Sequence, residues 1–104
     1  MKNLNGSEKQ VKWANDLRNK FIEKIGEIKE QSKQDKDLKA LKNYFYVKGF
    51  KEEERVSIEL IDETLNNILE TKIDAKWYID NRYEKALDII INELKKEVDK
   101  KWIL

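Results

Sequence analysis

The stretch Val56-Ser57-Ile58-Glu59-Leu60-Ile61-Asp62-Glu63-Thr64-Leu65-Asn66-Asn67-Ile68-Leu69 decides between an all-helical chain and a mixed one. Its first residues alternate, with Val56, Ile58 and Leu60 apolar and Ser57 and Glu59 polar, as in a half-buried strand. Upstream, Tyr44-Phe45-Tyr46-Val47 also carries strand-favouring side chains. A small hairpin across residues 44–60 is therefore the rival reading. Beyond Ile58 the period changes. Ile58, Ile61, Leu65, Ile68 and Leu69 recur at helical spacing, and Ser57 suits an N-cap because its hydroxyl can accept from a free first-turn amide. Helix is the favoured outcome.

Outward from this segment the same period recurs. On the N-terminal side, Ser7-Glu8-Lys9-Gln10 has the form of a capping box. Val11, Ala14, Leu17, Phe21, Ile25 and Ile28 then make one apolar stripe, flanked by Trp13. Gln31 to Asp37 lacks apolar residues and predicts a loop. A shorter helix follows from Lys36 or Asp37 to about Val47, with Leu38, Leu41, Tyr44 and Phe45 inward and Gly49 as its C-terminal cap. On the C-terminal side, Thr71 to Asp74 ends the third helix, and Asp74 can cap a short turn or helix carrying Trp77, Tyr78 and Ile79. Asn81 loosens the chain before a last helix through Tyr83, Ala86, Leu87, Ile90, Ile91, Leu94, Val98 and Trp102. The expectation is an all-α, compact bundle of about four helices forming a single domain over residues 1–104.

Composition agrees with helices and narrows the chemistry. Charged residues make up 41% of the 104 residues, against roughly a quarter in an average domain, and there is no proline. Long helices with solvated faces suit that balance. The chain has neither cysteine nor histidine, so thiolate chemistry is excluded, as are the commonest general base and the commonest transition-metal ligand. No apolar run reaches membrane-spanning length, and the N-terminus lacks a signal-peptide core. A cytoplasmic protein with no membrane association is expected.

A heptapeptide pattern occurs twice. Lys12-Trp13-Ala14-Asn15-Asp16-Leu17-Arg18 and Lys76-Trp77-Tyr78-Ile79-Asp80-Asn81-Arg82 both read Lys-Trp-x-x-Asp-x-Arg, in a chain with three tryptophans and three arginines. Trp and Arg are common anchors at interfaces and in cores. The scaffold interpretation places Trp13 and Trp77 in the core, with Asp16, Asp80 and the arginines orienting backbone or pairing across helices. Arg18 falls near the apolar stripe and can lay its stem over apolar neighbours.

Charge is distributed unevenly. Residues 1–51 hold 13 Lys/Arg against 7 Asp/Glu, and residues 52–104 hold 9 against 14. The two halves either attract each other or present a face to a partner. The acid is densest in residues 52–70, where Glu52, Glu53, Glu54, Glu59, Asp62, Glu63 and Glu70 are balanced only by Arg55. On the third helix they lie opposite the apolar face. Such a stripe can imitate phosphates and occupy a basic nucleic-acid channel, although an ordinary solvated face has the same pattern. Nothing in the spacing forms a metal loop or a buried carboxylate pair, so no catalytic residue, metal or cofactor is expected.

The segment Leu4-Asn5-Gly6-Ser7-Glu8-Lys9-Gln10 with Trp13-Ala14 and Leu17-Arg18, and the later Asp74-Ala75-Lys76-Trp77-Tyr78-Ile79-Asp80-Asn81-Arg82, resemble a small uncharacterised family of phage, plasmid and other mobile-element proteins. The resemblance covers about a quarter of the chain by residue count. Residues 30–72 have no counterpart in it. It carries no established chemistry; it implies an accessory protein that binds a host protein or nucleoprotein complex, with anti-CRISPR inhibitors as one such class. In that setting the acidic stripe is the partner-binding surface. A second class is a nucleic-acid-binding module using Lys12, Arg18, Lys76 and Arg82 as phosphate contacts. A third is a structural homodimer joined through the aromatics and the apolar tail Trp102-Ile103-Leu104.

Overall fold

Ser7 starts the first helix as its spacing predicts. In the computed structural model, which describes residues 2–102 and their side chains up to residue 97, the Gln10 amide donates to Ser7 Oγ at 3.3 Å. The Ser7 amide in turn donates to Gln10 Oε1 at 3.2 Å. This reciprocal cap satisfies two amides that have no partner within the helix. Helix α1 then runs 25 residues, Glu8–Ser32, and buries Ala14, Arg18, Phe21 and Ile25.

Helix α2 is Lys39–Val47, starting two to three residues later than the sequence predicts. The delay has a local cause: Leu38 sits in the left-handed region at φ 54° and cannot continue a right-handed turn. The amide of Ala40 is instead capped from outside, by Asp35 Oδ2 at 3.3 Å. The far end of α2 follows the glycine signal. Gly49 adopts φ 100°, its amide bonds Tyr46 O at 3.0 Å, and Phe50 bonds Phe45 O at 2.9 Å. Those two bonds are the Schellman pattern, and its usual apolar clasp is present as a Phe45–Phe50 edge-to-face pair at 5.8 Å.

That clasp removes the hairpin. Among the described residues there is no strand; Tyr44–Val47 belongs to α2, and Glu53–Arg55 forms one 3-10 turn. Burying Leu41 and Phe45 from one helical face outweighs the strand propensity of the aromatic run. Ser57 caps α3 (Ile58–Thr71), accepting from Leu60 at 3.0 Å. Helix α3 buries Ile61, Thr64, Leu65 and Ile68.

A short α4, Ala75–Asp80, follows. Asp74 holds its N-cap position but gives no side-chain bond there, so the expected carboxylate cap is not made. The link before α4 is fixed differently: Asn5 donates to Ile73 O at 2.7 Å and accepts from Ala75 at 2.8 Å, an isolated bridge joining the lead-in of α1 to the start of α4. Gly6 permits this approach, since a Cβ there would stand 3.1 Å from Ala75 Cβ. Helix α5 is Ala86–Trp102. Tyr83, which the spacing puts within the last helix, lies in the preceding turn and is 86% exposed, because α5 begins only at Ala86.

Over the described residues the chain is thus all-α, with four longer helices and the short α4. Phe21, Ile25, Phe45, Ile61, Ile68, Ile90 and Leu94 belong to the main core. A satellite cluster of Leu4, Ala14, Ala75 and Tyr78 joins the lead-in, α1 and α4, and Trp77 packs against both. No helix of the described residues is long and apolar enough to cross a membrane. Residues 103–104 and the side chain of Trp102, on which the dimer expectation partly rests, lie outside the described residues.

Candidate functional site

The two copies of the heptapeptide fold against one another. The first occupies α1 and the second occupies α4 and its exit. Arg82, from the second copy, lies with its guanidinium 5.3 Å from the Trp13 ring centroid of the first and 4.5 Å from that of Tyr83. Its Nη1 donates to Ile79 O at 2.6 Å. Arg82 therefore contacts two aromatics, Trp13 at 47% exposure and Tyr83 at 86%.

Arg18, the equivalent residue of the first copy, behaves in the opposite way. It is 6% exposed, donating from Nη1 to Lys2 O at 2.7 Å and from Nη2 to Asn15 Oδ1 at 2.9 Å. Its guanidinium stands beside Tyr78, which is 4% exposed. Burial pushes the Tyr78 hydroxyl above its ordinary pKa, and the Arg18 charge pulls in the other direction. Arg18 Nε and Tyr78 Oη have no hydrogen-bond partner. With its guanidinium spent inside the fold, Arg18 is not placed to meet a phosphate, and that expectation is corrected. Lys12 and Lys76 are exposed. The arginines orient backbone and Trp77 packs on the core as the scaffold interpretation holds. Trp13, however, is exposed instead of buried, and Asp16 and Asp80 are exposed and make no ion pair or side-chain bond among the described residues.

The acidic stripe divides into two groups. Glu52 accepts from Arg55 at 2.6 Å, Asp62 from Lys29 at 2.5 Å, and Glu70 lies 3.6 Å from Lys2. Two of these pairs join the basic half of the chain to the acidic half, so part of the charge asymmetry is consumed internally. Glu53, Glu54, Glu59 and Glu63 are exposed and have no cation partner among the described residues. They occupy the 3-10 turn and the first two turns of α3.

One polar cluster escaped the sequence reading. Tyr44, whose spacing marks it as an inward aromatic, donates its hydroxyl to Asp88 Oδ1 at 2.5 Å, and Lys48 Nζ lies 3.6 Å from Asp88 Oδ2. The hydrogen bond to Asp88, with burial and the carboxylate charge, pushes Tyr44 up to about 12. A phenol held in its protonated form is a strut between α2 and α5 and a poor base at neutral pH. Glu30 is lowered and Lys33 raised by their mutual hydrogen bond, and these shifts also reinforce the ordinary ionisation states. Among the described residues no three potential metal-ligating side chains of the His, Cys, Asp or Glu type converge.

Beside the Trp13–Arg82 contact an open groove of about 260 Å³ separates α1 from α4 and the start of α5, with Leu17, Phe21, Trp77 and Ile89 among its lining and Lys20, Lys24, Arg82 and Glu84 as its charged residues. No family model, curated protein or solved structure matches this chain.

Proposed function

We propose that this chain works by protein–protein contact, presenting Glu53, Glu54, Glu59 and Glu63 to a basic surface of a nucleic-acid-handling partner. The division among its acids carries the proposal: three are paired with cations of the chain itself, while these four are exposed and unpaired among the described residues. Glu59 and Glu63 stand one turn apart on α3, where like charges cost a few tenths of a kcal/mol. A basic partner would relieve that repulsion, and a cationic channel built for phosphates offers the complementary field. Resemblance at the two motif segments supports a setting in mobile elements. The chain is then an accessory inhibitor or modulator of a host nucleoprotein complex, and an anti-CRISPR protein is the most specific form of that role.

The test is affinity capture from a lysate of the cells that encode the chain, comparing wild type with the variant Glu53→Gln/Glu54→Gln/Glu59→Gln/Glu63→Gln. The expected result is a protein retained by wild type, displaced by added nucleic acid, and lost with the variant. Capture of the same protein in equal amount by both would refute the acidic surface as the contact.

A further inference from the structure

The groove between α1 and α4 carries chemistry opposite to that of the acidic surface. Leu17, Phe21 and Trp77 give it apolar walls, and Lys20, Lys24 and Arg82 line it with three cations against the carboxylate of Glu84. Lys24 also pairs along α1 with Glu27 at 3.4 Å, which leaves Lys20 and Arg82 as the groove cations without a carboxylate partner among the described residues. Leu17, Lys20 and Lys24 follow Trp13 along one stripe of α1, so the cations and the apolar walls are presented together. Next to it, Trp13 and Tyr83 stay exposed and both contact the Arg82 guanidinium. Trp, Tyr and Arg are the residue types over-represented among binding hot spots.

Volume and charge decide the occupant. About 260 Å³ is below the roughly 300–1,000 Å³ of usual small-molecule pockets and suits one large side chain. A single nucleic-acid strand would need cations that track its backbone over several nucleotides. Asp16, Glu23 and Glu27, exposed on α1 outside the groove lining, interrupt any longer cationic track and leave room only for a short segment with one or two carboxylates. We infer that the groove binds an acidic peptide segment, which inserts one aromatic or large aliphatic side chain between Leu17, Phe21 and Trp77 and sets its carboxylates against Lys20, Lys24 and Arg82. The site is independent of the proposed acidic contact surface, since it uses other elements and the opposite charge.

A random twelve-residue peptide library, selected on the immobilised full chain, tests this. Selected peptides should share one apolar anchor flanked by Asp or Glu, and should perturb the Trp77 indole N–H resonance. Their Kd should rise at least tenfold for Lys20→Glu/Lys24→Glu, whose side chains are exposed and whose unchanged thermal midpoint would show an intact fold. It should not change for the four-glutamine variant of the acidic surface. Peptides without acidic flanks, equal affinity for the lysine variant, or no perturbation of Trp77 would each overturn the proposal. So would a labelled oligothymidine that binds at low salt and is lost with the same lysine variant, since it would assign the groove to nucleic acid.

Discussion

The guanidinium of Arg82 stands 5.3 Å from the Trp13 ring centroid, so the last residue of one heptapeptide copy rests on the second residue of the other. The reverse contact is not made. Arg18 turns inward to Lys2, Asn15 and the neighbourhood of Tyr78. One sequence pattern thus supplies a surface arginine and a buried one.

The two arginines should respond differently to truncation. Arg82→Ala removes exposed cation–π contacts and one backbone bond, and should cost about 1 kcal/mol. Arg18→Ala removes two hydrogen bonds from a charged donor and leaves a buried gap, and should cost about 2–4 kcal/mol. Urea unfolding of both variants checks the order. Tyr78→Phe should stay within about 1 kcal/mol of wild type, because the hydroxyl it deletes has no partner.

Two glycines should behave oppositely. Gly26 lies within α1, and a Cβ there meets nothing within 4 Å. Gly26→Ala should stabilise by about 0.5–1 kcal/mol. At Gly49, φ 100° disfavours an L side chain, and a Cβ would approach Lys95 Nζ to 3.0 Å. Gly49→Ala should destabilise by about 1–2 kcal/mol. Thermal unfolding of the pair shows midpoints displaced in opposite directions.

Tyr44 gives a prediction about alkaline pH. Its pKa is raised from 10.0 to about 12 in the folded chain, so folding favours the protonated phenol. That stabilisation is fully present below pH 10 and is lost as the pH rises through 12. The stability difference between wild type and Tyr44→Phe should therefore be constant from pH 7 to 9 and shrink above pH 10. Urea midpoints for both proteins at pH 8 and pH 11.5 measure it.

The acids of α3 should separate by partner. Asp62→Asn breaks the pair with Lys29 and should cost up to about 1 kcal/mol, less in 1 M salt. Glu63→Gln relieves the repulsion from Glu59 and should change stability by no more than about 0.5 kcal/mol in either salt. Denaturant titrations at low and high ionic strength distinguish the two.

What the sequence made legible is what short-range chemistry governs. The Ser7–Gln10 box, the Ser57 cap of α3 and Gly49 as the cap of α2 all act within five residues and form as the spacing predicts, whereas the Phe45–Phe50 clasp beside Gly49 is seen only in the fold. The late start of α2 was not legible, because it follows from one left-handed residue, Leu38. Nor could the pattern separate Asp62 from Glu63, neighbours on one helix, since the distance to Lys29 on α1 sets which of them is paired. The inward Arg18 and the groove beside Lys20 depend on where α4 docks. That docking is fixed by the bridge from Asn5 to Ile73 and Ala75, a contact between distant segments that no local period encodes.

The acidic surface is the central claim, and the affinity of the captured partner tests it most directly. Binding of that purified protein to wild type and to the Glu53→Gln/Glu54→Gln/Glu59→Gln/Glu63→Gln variant should be titrated by calorimetry at low salt. A rise in Kd of at least tenfold, with the two titrations converging as salt is added, is the predicted result. Equal Kd values at low salt would contradict it.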